Sequence, residues 1–392
     1  MQPGRYTTRE AISAGADAVS GSTIWQLTAA PCLQENIYGE VPYMDPTSRY
    51  LMFMRGYKPY GPQEVWRCDL QTHRLTLVVD RVPGIRGMAV STDHRYFYCQ
   101  RSVEGDYDMY ARGPLEIIRT DIETLQQHSI HFDGVPFSGS LGSMAPDGNT
   151  YVRSMWLGVR RFAIGRFDLS AATWDVIHEA DDIHNAHPQV EPGEGRDVLI
   201  QNNRGSRWTD EGVSLAPTGP EGATLFLIDI DGGNKRTLPI GKPHTWRCQG
   251  HQCWIGTTGE ILFTVSAGAE DVDGDPAAVM KREGNLLAIT PGDERARVVA
   301  TGWCFAHPSA SLDGRFFVSD TSPEGTLIVG SLKTGKCRVL CESRTTFGNP
   351  QYTHPHPYFS PDRRWVIFNS TATGIPQIYA ASVPEGLLEG LE

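Results

Sequence analysis

The chain has 392 residues, of which 40 % are hydrophobic and 21 % charged, enough apolar material to bury a large core. Its formal net charge is −11 and its isoelectric point near 5.6. That balance argues against nucleic acid or an anionic membrane as a partner, although a local basic pocket can still exist.

The chain begins with Met1 to Asp17, which carries Arg5, Arg9 and Glu10 and no apolar run. Neither a secretory leader nor a membrane span of about 18 apolar residues is expected, and the expected location is cytoplasmic. The eight cysteines, at 32, 68, 99, 248, 253, 304, 337 and 341, form no C-x-x-C pair. They are expected to be free thiols in a reducing compartment.

From about residue 23 onward, short alternating runs separated by Gly, Pro, Asp and Asn predict an all-β protein. Thr23–Thr28 has the pattern of an outer strand that lacks a repeat of its own. After it a self-similar unit recurs at roughly 40–60 residues, the range of propeller blades. Each unit opens with a short apolar stretch that often runs into an S-x-D-G-like turn. These stretches begin at Val41, Met88, Gly142, His187, His251, His307 and His356, which makes seven. Hairpins of outer strands follow six of them, as at Trp66–Thr72, Thr120–Thr124, Arg166–Ser170, Leu227–Gly232, Leu286–Gly292 and Ile328–Gly335. The seventh unit ends at Ile378–Val383 with no outer strand after it. The expectation is one domain over 1–392, a seven-bladed β-propeller. Segment 1–37 would supply the strand that closes the last blade and removes the open edges. Three longer inserts, Arg101–Pro114, Asn202–Glu221 and Ala267–Glu283, are expected to decorate one face.

The first strand of each blade lines the central channel. His187, His251, His307 and His356 occupy nearly the same place in four consecutive repeats, so they should meet at one mouth. His354 and Gln351 lie close by in Gln351-Tyr352-Thr353-His354-Pro355-His356-Pro357. If that stretch is extended, as residues before proline favour, His354 and His356 share a face. Imidazoles with an amide oxygen suit Mn, Fe, Ni or Zn. His307, Gln351, His354 and His356, on adjacent blades, are the expected ligands. His251, one blade over, is then a candidate general base, kept neutral by a neighbouring cation.

These residues resemble the oligogalacturonate lyases, a family of cytoplasmic seven-bladed propellers of pectin breakdown. The resemblance is carried by Gln351 to Pro357, by Pro376-Gln377-Ile378-Tyr379-Ala380 with Val383-Pro384-Glu385, by Gly250-His251-Gln252-Cys253-Trp254, and by His307 with Ser311, Asp313 and Gly314. His187-Pro188 has a counterpart as well. The resemblance implies manganese on His307, Gln351, His354 and His356, with His251 as the base. It also implies β-elimination across a short, acidic 1,4-linked uronide. Two departures stand out. Gln252 replaces a glutamate, and Thr224 falls where the family has an arginine that assists the substrate. Arg204 or Arg207, in the rebuilt Asn202–Trp208 loop, could supply the lost charge. Arg247 and His187 are further candidate substrate contacts. Alternatives are a lyase or isomerase for another uronic acid, and a propeller that binds glycans or peptides without chemistry.

Overall fold

The same turn is built in repeat after repeat. Ser91 Oγ donates to Asp93 Oδ1 (2.5 Å) and accepts the N–H of Tyr96 (2.9 Å). Ser311 does the same with Asp313 and Phe316, and Ser360 with Asp362 and Trp365. In the first repeat Asp45 takes the serine's place and accepts the N–H of Tyr50. The fourth residue of each turn is left-handed, with φ of 62° at Ser48, 59° at His94, 68° at Gly314 and 61° at Arg363. Glycine is the least strained residue there, which is the origin of the D-G in the motif.

A computed structural model of the chain describes residues 3–38, 41–57, 62–82, 86–102, 112–137, 139, 141–346 and 351–392. Among the described residues the strands form eight antiparallel sheets, seven of them the blades of a seven-bladed β-propeller and the eighth a two-stranded hairpin. The first blade runs from the channel outward as Leu33–Glu35, Tyr50–Gly56, Gln63–Asp69 and Arg74–Val82. The second is Arg86–Val90, Tyr96–Ser102, Arg112–Asp121 and Gln127–Pro136. The third is Gly142–Met144, Thr150–Gly158, Arg161–Asp168 and Thr173–Ala180. The fourth is Gln189–Val190, Asp197–Asn202, Thr224–Asp229 and Arg236–Thr237, and the fifth Arg247–Trp254, Ile261–Ser266, Leu286–Ile289 and Arg297–Ala300. The sixth is Phe305–Ala310, Phe316–Thr321, Thr326–Ser331 and Cys337–Glu342. The seventh holds Tyr358–Phe359, Trp365–Ser370 and Gln377–Ser382.

The N-terminal segment serves two blades. Thr23–Gln26 pairs with Gln377–Ser382, Trp25 facing Ala380, and Ile12–Ala16 pairs outside it. Thr7–Arg9 instead adds to the outer edge of the first blade, opposite Arg74–Thr76, a pairing that its sequence does not announce.

Because strand side chains alternate, each buried strand feeds two neighbours. Phe316 and Val318 pack toward Phe359, Val366 and Phe368 of the seventh blade, while Phe317 packs toward Leu262 and Leu286 of the fifth. Seven such apolar clusters fill the seven junctions between blades. This leaves the channel walls to short inner strands, where polar residues can be placed.

Several local expectations shift. The inner strand of the first blade is Leu33–Glu35, followed by a single bridge between Met44 and Leu51; Pro42 and Pro46 interrupt the ladder that 41–48 would need. Of the three inserts, 202–221 forms a small hairpin, Arg207–Trp208 against Ser214–Ala216. The insert at 267–283 carries the helix Pro276–Glu283, capped by Asp275. Most of the insert at 101–114 lies outside the described residues. All eight cysteines are free, six of them buried. No helix among the described residues is long and apolar enough to cross a membrane.

Candidate metal centre

Three histidines converge where the sixth and seventh blades meet. The nearest ligand atoms of His307, His354 and His356 all lie within 4.8 Å of one another. The ring centroids are 4.4 Å apart for His307 and His356, and 5.1 Å for His307 and His354. His251 joins them from the fifth blade, 4.2 Å from His307.

Local backbone explains the convergence, but not by the extended run expected for Gln351 to Pro357. Gln351–Thr353 is a turn of 3-10 helix, and the strand begins only at Tyr358. The carbonyl oxygen of Gln351 accepts the N–H of His354 (3.0 Å). His356 has φ of 41°, left-handed although a proline follows. Such strain persists where surroundings hold it. Here Asn36 Nδ2 donates to the carbonyl of His356 (2.7 Å), and Asn369 donates its own N–H to that of Pro355 (2.9 Å). His251 is delivered by a bulge between Cys248 and Gln252. Gly250 is needed in that bulge, with φ of 78° and the Gln201 side-chain amide packed where a Cβ would sit.

The hydrogen bonds assign the imidazole nitrogens. His307 Nδ1 donates to the carboxylate of Asp320 (2.9 Å), a side chain with no exposure to solvent. That bond turns Nε2 toward the other imidazoles, in the arrangement by which metal-binding histidines are oriented. His251 Nδ1 donates to the carbonyl of Ala306 (2.9 Å), which leaves Nε2 with the lone pair. Burial pushes the His251 pKa well below the usual histidine value, and the neighbouring His307 lowers it further. Burial likewise lowers that of His356. His356 is buried, and neither ring nitrogen has a hydrogen-bond partner among the described residues. A buried imidazole left this way fits a metal ligand, because a cation would satisfy it.

The remaining expected residues divide. His187 is at the same mouth, its Nε2 2.8 Å from Asn185 Oδ1. Below it the channel continues as an apolar cavity of about 170 Å³, which includes Tyr43, Met144, Val190 and Leu312 in its wall. Gln351 is exposed and borders a cleft with Glu35 and Gln63. Arg204 departs from its expected catalytic role. Its guanidinium donates to the carbonyls of Gly222, Lys242, Glu221 and Ala223, so it staples the insert together. Arg207 is exposed on the hairpin. Arg247, on the strand of His251, holds Glu270 at 2.6 Å and Asp271 at 3.5 Å. Thr224 is buried and donates to the carbonyl of Ile240 (2.6 Å), with no charge of its own. Asp320, Asn36 and Asn369 were not singled out from the sequence. The one signal for Asp320 is an acid in the otherwise uncharged run Phe316-Phe317-Val318-Ser319-Asp320.

Comparison with known proteins finds relatives over nearly the whole chain. Over 95 % of its length the chain is 22 % identical to an oligogalacturonate lyase of Dickeya dadantii, covering 96 % of that protein. The chain resembles the oligogalacturonate lyases. An oligogalacturonide lyase of Pectobacterium atrosepticum is 28 % identical over 45 % of the chain, and there the match spans about half the length of the relative. Among solved structures, an oligogalacturonate lyase in complex with manganese aligns with a TM-score of 0.73 at 19 % identity, covering 99 % of this chain and all of that one. An oligogalacturonate lyase from Vibrio parahaemolyticus aligns at 0.68 and 17 % identity, covering 97 % and 99 %. At such identities the structural likeness is one of fold. No protein-family model matches the chain.

Proposed function

We propose that the chain is a metal-dependent lyase that cleaves short oligogalacturonides by β-elimination. The observation that carries this reading is the convergence of His307, His354 and His356, with His251 beside them. The three imidazoles would hold a divalent cation, manganese by resemblance to the relatives, with Gln351 from the adjoining turn as fourth ligand. Bound there, the cation would supply Lewis acidity toward a uronate carboxylate and offset the charge that develops on it.

His251 supplies the base. Its Nδ1 is committed to Ala306, so the C5 proton of the uronate goes to Nε2. The C5–H electron pair becomes the C4–C5 double bond, and the C4–oxygen bond breaks with its electron pair leaving on the glycosidic oxygen, which takes up a proton from water. Asp320 keeps the Nε2 of His307 aimed inward. Arg247 already holds two carboxylates, Glu270 and Asp271, and a substrate carboxylate exchanging with the exposed Glu270 would find the same charge-assisted contact. Arg207, exposed on the hairpin, would be the second candidate cation.

The buried Thr224 favours a second reading, a lyase for a different uronide, because the family's substrate-assisting arginine has no replacement at that position. A panel of short galacturonides and glucuronides, each supplied with manganese and followed by the ultraviolet absorbance of the unsaturated product, separates the two. Turnover of galacturonides is expected. Turnover confined to glucuronides would favour the second reading, and no product from any uronide would remove both.

A further inference from the structure

The histidines at the channel mouth are held in different ways. Asp320 fixes the ring of His307, the carbonyl of Ala306 that of His251, and Asn185 contacts that of His187. His356 has no such hydrogen bond among the described residues. Its ring is positioned by ring contacts instead. His307 lies 4.4 Å away and His354 5.6 Å, both in the metal group itself, and Tyr38 lies 4.5 Å away at 70°.

Tyr38 comes from outside that group. It follows the inner strand Leu33–Glu35 of the first blade, the neighbour of the seventh. The same short stretch carries Asn36, which clamps the carbonyl of His356. The Tyr38 ring also meets His187 of the fourth blade, edge-on at 5.1 Å, so it reaches across the mouth. His187 and His356 both precede proline and are both left-handed, with φ of 43° and 41°. The phenol ring therefore lies among the histidines of the mouth.

We propose that Tyr38 is a positioning residue of the metal centre. Its ring, wedged between His187 and His356, aims the His356 imidazole at the cation, a task that the hydrogen-bonded Asp320 performs for His307. The hydroxyl is not required for this; the aromatic ring is. The inference rests on the metal-centre reading above.

Titration with Mn²⁺, followed by the electron paramagnetic resonance of the ion, tests it without recourse to turnover. Tyr38→Phe is expected to bind Mn²⁺ within about twofold of the wild type. Tyr38→Leu is expected to bind it about 10-fold or more weakly, with an altered spectrum of the bound ion. Tyr38→Met tests the same loss should the leucine variant fail to fold. Equal affinity in a folded Tyr38→Leu or Tyr38→Met variant would overturn the role of Tyr38 and leave the metal reading standing. A wild type that binds no Mn²⁺ would overturn both.

Discussion

His307→Ala is expected to lower kcat/KM on short galacturonides by about 10³-fold, on the order of 4 kcal/mol of transition-state stabilisation. His307 is the ligand with the most built around it: its backbone N–H and its Nδ1 both reach Asp320. Removing the imidazole takes away one donor to the cation and leaves the Asp320 carboxylate buried without that partner. The variant should therefore lose both metal and some stability. Metal content after dialysis and the thermal midpoint separate the two effects. A variant that is inactive but still fully loaded would place the cation elsewhere.

The second large effect is expected at His251. His251→Ala should lower kcat by about 10²–10⁴-fold, the range for loss of a positioned general base, and leave Mn²⁺ binding close to that of the wild type. The split follows from the roles proposed for the two residues. His251 gives its Nδ1 proton to Ala306, not to a ligand, and it stands outside the trio of mutually close donor atoms. Equal loss of metal from His251→Ala and His307→Ala would make His251 a ligand instead of the base.

Placing His187, His251, His307 and His356 at one repeat position was enough to foresee their meeting, because a propeller turns sequence equivalence into proximity around an axis. Short alternating apolar runs and the Ser-x-Asp turns make the seven blades legible in the same way. The premise of an extended Gln351–Pro357 was less sound. Alternation along a strand does bring side chains together, yet here a 3-10 turn and the left-handed His356, clamped by Asn36 and Asn369, do so. Those clamps come from more than 300 residues away in one case, and no local pattern records them. The same holds for Arg204: a loop arginine looks available in sequence, but Gly222, Lys242, Glu221 and Ala223 happen to turn their carbonyls toward it. Tyr38 was invisible for a related reason. The inner strand of its blade is short and broken, so the repeat gave it no equivalent position.

The central claim is that one centre, built on His307, His354 and His356, makes the C5 proton of a uronate removable. Its most direct measurement is the ultraviolet absorbance of the unsaturated uronate formed from trigalacturonate, recorded on protein stripped by a chelator and again after manganese is restored. The account predicts no product from the stripped protein and recovery of the full rate on reloading. Undiminished product formation by fully stripped protein would contradict it.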